Sequence, residues 1–380
     1  QTPTLRIPHT YGIPRRSRTV SPYDKTTSRS VDGMAALAAR HGVPVEDALL
    51  MAINLHGIRS PQNRHRARVL IRLASAPTVP WQVIVPLNAS TSPFVLDEDT
   101  LLLAGNPVAT VTRIDADEAV GGYFRNDGRA ATLNPNARSR CVGCAFCPNT
   151  LEAAADPRLS EQRAVRELLD AMAHQHPAGT LAGLEEVTVS TGCFEREQAA
   201  VDHLGDLRAV LTETGITARI GFLTSVLRTQ TAFDTLARTA GPFVLRMTAE
   251  CFTRRDLLLK ASKAELTRKQ MPRVLRRAVR AGHDASFTYI VGLDDLAAME
   301  DGVRDLAPHV TEFPNLQVYQ AHNRIMAGLR APGATDLAFY LKARAVLEDI
   351  LGPTGLRPKA WECYRPLWHF TFGPERLVPA

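Results

Sequence analysis

Long apolar runs are missing from this 380-residue chain. No segment approaches the roughly 20 consecutive residues that a membrane-spanning helix needs. The first 25 residues are polar, basic and rich in proline, with no apolar signal-peptide core. The expectation is a cytoplasmic protein with no membrane partner. Lysine is scarce: Lys25, Lys260, Lys263, Lys269, Lys342 and Lys359 are the only ones, and the other basic residues are arginine. Aromatics make up 6% of the chain, and none interleave the basic clusters at Arg15–Arg16–Arg18 and Arg268–Arg280. A net charge of +6 therefore does not announce a base-stacking surface, and nucleic acid is not the expected partner. Solvated helix faces account for the charge, and an anionic or carboxylate-bearing small ligand fits it too. Six cysteines are too few for a disulfide framework in a chain this long.

What is present is length for a large domain with additions, and an ordinary apolar share of 45%. Residues 1–125 read as an accessory region. It has an extended arm, helical spacing over 31–57 broken at Gly42 and Pro44, and strands over 81–88 and 100–114, the latter turning at Gly105–Asn106. From about 126 to 335, short apolar strands alternate with amphipathic helices. Strands are predicted over 185–194, 218–227, 243–252, 285–295 and 315–323. One of the intervening helices places Val165, Leu168, Leu169 and Met172 on a single face. Alternation at this spacing predicts βαβ units around a parallel sheet. The fold class is α/β, a partial or full parallel barrel. Residues 336–380 read as a helix followed by an aromatic closing segment, "RPKAWECYRPLWHF".

Three of the six cysteines fall within "RSRCVGCAFCPN", residues 138–149: Cys141, Cys144 and Cys147. Three thiolates can hold three irons of a [4Fe–4S] cube and leave the fourth iron open. A ferredoxin run would supply a fourth cysteine, but position 151 is Leu. A zinc site needs four ligands, and no fourth Cys or His stands nearby. The incomplete cluster fits best, with electron transfer and structural zinc as the other readings.

The loop resembles the cluster-binding loop of radical S-adenosylmethionine (radical SAM) enzymes, which is usually C-x3-C-x2-C with an aromatic before the last cysteine. Cys144, Ala145, Phe146 and Cys147 match its second half, while the first spacer, Val142–Gly143, is one residue short. The resemblance implies a partial barrel with ligands at the carboxyl ends of the strands. It implies SAM beside Phe146 and near Ser190 and Thr191, where the usual glutamate is absent. It assigns Arg246, Thr248 and Glu250 on the fourth strand to ribose and carboxylate, with Glu250 also a catalytic candidate. On the fifth strand Thr288, Ile290, Gly292 and Asp295 stand at the positions of G-x-I-x-G-x-x-E. Gln320 and His322 end the sixth strand, where adenine is often contacted. The implied chemistry is reductive cleavage of SAM and hydrogen abstraction from a small-molecule substrate of biosynthetic type. A one-electron reductant such as flavodoxin or ferredoxin would dock near the loop.

Cys193, Cys251 and Cys363 leave three readings. They are buried apolar side chains. Alternatively, Cys363 or Tyr364 donates hydrogen to a product radical. In the third reading, the three hold a second Fe–S cluster, as in the sulfur-inserting biotin synthase and lipoyl synthase branch, which "ECYRPLW" weakly resembles, with Arg365 within reach. RNA modification by the same radical chemistry is a further alternative, and an Fe–S electron-transfer protein without SAM is another.

Overall fold

The computed structural model describes residues 27–62, 64, 66–87, 89–116, 123–133, 143–147, 165–190, 194 and 196–377. The first unit joins helices α1 (Val31–Arg40) and α2 (Val45–His56) to an antiparallel sheet. Its strands are β1 (Ala67–Leu73), β2 (Ala76–Val85), β3 (Phe94–Asp97), β4 (Thr100–Leu103) and β5 (Asn106–Ala116), ordered β2-β1-β5-β4-β3. Strand β1, "ARVLIRL", alternates buried and half-buried residues, the period-two signature of a strand with one covered face. The β4–β5 hairpin turns on Ala104 (φ 51°) and Gly105 (φ 82°). Two successive positive φ values make the tight turn whose twist suits a hairpin, one residue earlier than the sequence suggests.

The second unit begins with β6 (Tyr123–Arg125), antiparallel to β7 (Ala130–Leu133). Then follow α3 (Val165–Gln175), β8 (Glu186–Ser190), α4 (Glu197–Glu213), β9 (Arg219–Thr224), α5 (Gln230–Thr239) and β10 (Phe243–Glu250). Two one-turn helices, α6 (Arg255–Leu258) and α7 (Ala261–Ala264), precede α8 (Met271–Arg280), β11 (Asp284–Val291), α9 (Leu296–Leu306) and β12 (Asn315–Val318). The chain continues through α10 (Arg324–Ala327) and α11 (Leu337–Leu351). Strands β7 to β12 are parallel and lie in sequence order. The result is an open, curled sheet, a partial rather than a closed barrel.

Local chemistry explains the elements. Thr229 caps α5 by accepting Ala232 N–H, and Asp295 caps α9 by accepting Ala298 N–H at 2.8 Å. Pro272 sits in the first turn of α8, where a missing N–H costs nothing. Leu168, Leu169 and Met172 of α3 are buried, as the spacing predicts. Strand β10 is buried on both faces. Val274, Leu275 and Ala278 of α8 share the core with Leu245 and Met247, each large apolar side chain contributing about 1.5–3 kcal/mol. Among the described residues, no helix is long and apolar enough to cross a membrane.

The segment after α11 lies along the open side of the barrel. Pro366 bridges antiparallel to Gln317 of β12, and Val318 N–H donates to Arg365 O at 2.8 Å. Arg125 Nη1 of β6 donates to Glu362 O at 3.0 Å. This strap thus connects the two edge strands of the sheet. Asp47 of α2 anchors its far end, accepting the N–H groups of His369, Phe370 and Thr371.

Candidate active site at the barrel mouth

The carboxyl ends of β10 to β12 carry an apolar cluster made of Cys144, Phe146, Cys251, Leu258, Leu259, Ile290, Leu293 and Tyr319. Cys147 packs against it. The cysteine loop is a turn closed by Cys147 N–H donating to Cys144 O at 3.1 Å. It is docked on the segment after β10: Ala145 N–H donates to Leu258 O at 2.9 Å, and Lys260 N–H points at Cys144 Sγ, 3.5 Å away. Gly143, at φ +105°, lies against Lys260, where an added Cβ would meet Lys260 Cβ at 3.0 Å. Cys141 lies outside the described residues, as do Thr191 and Cys193. Among the described residues no three metal-ligating side chains converge. The donor set still suits an Fe–S cluster: two thiols three residues apart, and a backbone N–H that favours charge on one sulfur.

Strand β10 ends abruptly. Its register with β11 shifts between Thr248 and Glu250, and Glu250 takes φ 63°, left-handed for a non-glycine residue. That turn releases Cys251 from simple alternation and brings it into the mouth cluster. Lys263 Nζ donates to Glu250 Oε1 at 2.9 Å, with both side chains largely buried. Arg255 fixes the same corner through Cys251 O at 2.6 Å and Lys263 O at 2.9 Å. Burial, aided by the charge of Asp294, pushes the Cys251 thiol up to about 12. Asp294 itself holds the turn after β10, accepting Phe252 N–H at 2.7 Å and the Tyr289 hydroxyl at 2.9 Å.

Several predicted residues sit elsewhere. Arg246 is 1% exposed and lies inside the barrel, below the mouth. Its Nη2 donates to Glu186 Oε1 at 2.8 Å and also meets the Glu362 carboxylate. Glu186 Oε1 also accepts the Thr188 hydroxyl at 2.6 Å. Burial alone would raise Glu186, but the charge of Arg246 and the Thr188 hydroxyl hold it down at about 2. Arg246 is thus an ion-pair residue linking β8, β10 and the strap. Gly221 makes the room: an added Cβ would lie 2.9 Å from Thr188 Oγ1 and 3.2 Å from Arg246 Nε. Gly221→Ala is expected to cost about 1–3 kcal/mol by overpacking. A denaturant midpoint unchanged from the parent would contradict it.

Asp295 caps α9 through Oδ1. Thr248 and Thr288 are register partners on the inner face, both 2% exposed, with hydroxyls that find no partner. Ser190 ends β8, half-buried. Ile290 is in the mouth cluster, and Gly292, at φ +109°, leaves no space for a Cβ beside the Tyr340 hydroxyl. Gln320 is engaged by the first unit: its Nε2 donates to Asn54 O at 2.8 Å and Ile84 O at 3.2 Å. His322 is half-buried just before Asn323, the cap of α10. Cys363 donates to Leu316 O at 3.5 Å in the strap, and burial pushes its thiol up to about 12. Tyr364 is half-buried next to it. Cys251 and Cys363 thus occupy different surroundings, one in the mouth cluster and one against β12. Sequence reasoning missed Tyr319, Lys260 and Lys263; Lys260 could not have been found, because its contribution is a backbone N–H.

No protein-family model and no curated protein matches the chain. Among solved structures it is similar in part to HydG, a maturase of the [FeFe]-hydrogenase, at 17% identity and a TM-score of 0.38 over 59% of this chain and 51% of that one. It is also similar to Streptococcus suis SuiB bound to S-adenosylmethionine, at 10% identity and a TM-score of 0.40 over 61% of this chain and 48% of that one. The chain spans about half the length of each. A likeness this loose decides no chemistry, which rests on the residues of the mouth.

Proposed function

We propose that the chain is a radical SAM enzyme acting on a small organic molecule, with Cys141, Cys144 and Cys147 as ligands of a [4Fe–4S] cluster. One observation carries the reading. Two thiols and a buried aromatic are presented at the carboxyl ends of a six-stranded parallel open barrel, with a backbone N–H aimed at one sulfur. Ligands bind at that end of parallel α/β sheets. When bound, the reduced cluster supplies the electron that cleaves SAM and so the radical that attacks substrate.

The chain's own residues position and shield. Cys144 is buried and Cys147 half-buried, so one side of the loop is closed to water. Phe146, Ile290, Leu293 and Tyr319 form an apolar wall beneath it. The Glu250–Lys263 pair offers charged hydrogen-bonding groups at the end of β10. Cys251, a neutral thiol next to that pair, packs in the wall as an apolar group. A flavodoxin- or ferredoxin-type reductant docks on the loop's outer side.

Incubation of reconstituted, chemically reduced protein with SAM is expected to yield 5′-deoxyadenosine. Intact SAM after reduction of the cluster would leave the electron-transfer reading in its place.

A further inference from the structure

Three segments distant in sequence meet beside the cysteine loop: the end of α2, the turn after β12, and the strap. Gln320 ties them together. Its Nε2 donates to Asn54 O, and its Oε1 receives Arg365 Nη1 at 3.4 Å. Arg330, just past α10, reaches Leu55 O at 3.5 Å and lies over the Tyr319 ring, 5.7 Å from its centre.

This junction holds positive charge without its complement. Among the described residues Arg365 donates only to the side-chain oxygens of Gln317 and Gln320, and its Nε is closed off from solvent with no partner. Arg330 Nε is in the same state. Neither arginine forms an ion pair among the described residues. Arg365 and Arg330 are half-buried, whereas the fully buried Arg246 and Arg344 are neutralised, Arg246 by Glu186 and Glu362, Arg344 by Asp47 and Glu348. Asn54 is 0% exposed, and both its amide nitrogen and its amide oxygen lack partners. Such groups are costly to bury unless something completes them. The electrostatic neighbours agree. Burial and then the charge of Arg66 lower Arg365, and burial with Arg330 and Arg29 brings His56 down to about 4.

We propose that this junction binds the carboxylate of the substrate, between the guanidinium edges of Arg365 and Arg330, with the Asn54 amide beside it. The inference rests on the proposed function only in calling the ligand a substrate. An Nε–Nη edge matches the two oxygens of a planar carboxylate. The Asn54 carbonyl oxygen suits a neighbouring hydroxyl or amine and would oppose the further charge of a phosphate. The accessory unit thereby acquires a role: α2 supplies one wall of the substrate pocket. The strap supplies another, and Arg365 is also an electrostatic neighbour of Cys147.

Thermal midpoints of the full-length protein test the inference in sodium succinate and in inorganic phosphate, each against sodium chloride of equal ionic strength. Succinate is expected to raise the midpoint above the chloride control in a saturable way. Arg365→Gln and Arg330→Gln each weaken that response at least about tenfold. Without succinate, Asn54→Leu and Arg365→Gln leave the midpoint equal or higher, because they remove unsatisfied groups, and Asn54→Leu keeps the test open if an arginine variant does not fold. A succinate response no larger than that of chloride, or one retained in both arginine variants, overturns the proposal. So does a stronger, arginine-dependent response to phosphate. Competition of succinate with SAM would give the site to the cofactor and overturn the substrate assignment. None of these readings requires SAM cleavage, so failure here is distinguishable from failure of the radical SAM reading.

Discussion

Asp47→Ala is expected to remove about 3–5 kcal/mol of stability, a large part of the roughly 5–15 kcal/mol that holds a typical domain together. Asp47 is 0% exposed. Its carboxylate accepts three consecutive backbone N–H groups, from His369, Phe370 and Thr371, as well as the Thr371 hydroxyl. Arg344 Nη1 stands 3.0 Å from it, itself 1% exposed. Alanine would leave three N–H groups without their acceptor and the buried Arg344 with Glu348 as its remaining carboxylate. The strap would lose its anchor to α2, and with it the position of Arg365. Urea denaturation followed by circular dichroism measures the change. A loss below about 1 kcal/mol, the scale of an ordinary hydrogen bond, would show that water or rearrangement replaces the carboxylate.

The same residue sets a direction for pH. Burial alone would raise Asp47, but the His369 contact and the charge of Arg344 hold it well below the usual carboxylate range. Glu186 is held at about 2 by Arg246. A carboxylate with a depressed folded value stabilises the fold above its unfolded value and loses that contribution as pH falls toward the folded one. His369 and His56 add in the same sense, because burial keeps both neutral and acid must charge them. Stability therefore declines from about pH 6.5 downward and most steeply below about pH 4. Asp47→Asn flattens the lower part of that curve.

The parallel sheet was legible because β8 to β12 and the helices between them repeat at regular spacing, with apolar faces that follow the local period. The cysteine loop was legible because ligand chemistry is written in residue type. Strand ends were harder. Cys251 reaches the mouth only because Glu250 adopts a left-handed backbone, which periodicity does not encode. Arg246 looked like a ligand-binding charge on an apolar strand, since Glu362, one of its two close carboxylates, lies 116 residues further on. Asp47 stands beside Glu46 in the first turn of α2, where nothing in the local spacing sets it apart. Its hydrogen-bond donors in the strap lie more than 300 residues away, and only the folded chain reveals that they converge.

Cys144→Ala is expected to abolish cluster retention and SAM cleavage together. Iron after reconstitution should fall from about four atoms per chain to near none, since two thiolates do not hold a cube that needs at least three. The thiol at this position is buried, and the loop around it is fixed by Leu258 O and Lys260 N–H, so no neighbouring described sulfur can swing in to replace it. Cys251 lies in the same cluster but is a high-pKa thiol. A second variant separates ligation from tuning. Lys260 has φ −60° and follows Leu259 at φ −108°, ψ 150°, so proline fits there without strain. Lys260→Pro deletes the N–H aimed at Cys144 Sγ, and Lys260→Ala controls for the lost side chain. Loss of one outer hydrogen bond to a ligand typically costs about 10–100-fold in metal affinity. Lys260→Pro should therefore lose iron faster to a chelator and shift the cluster's potential downward, while Lys260→Ala retains both properties. Equal behaviour of the two variants would remove the N–H···S contact from the mechanism. Full iron content and SAM cleavage in Cys144→Ala would remove the cluster from this loop.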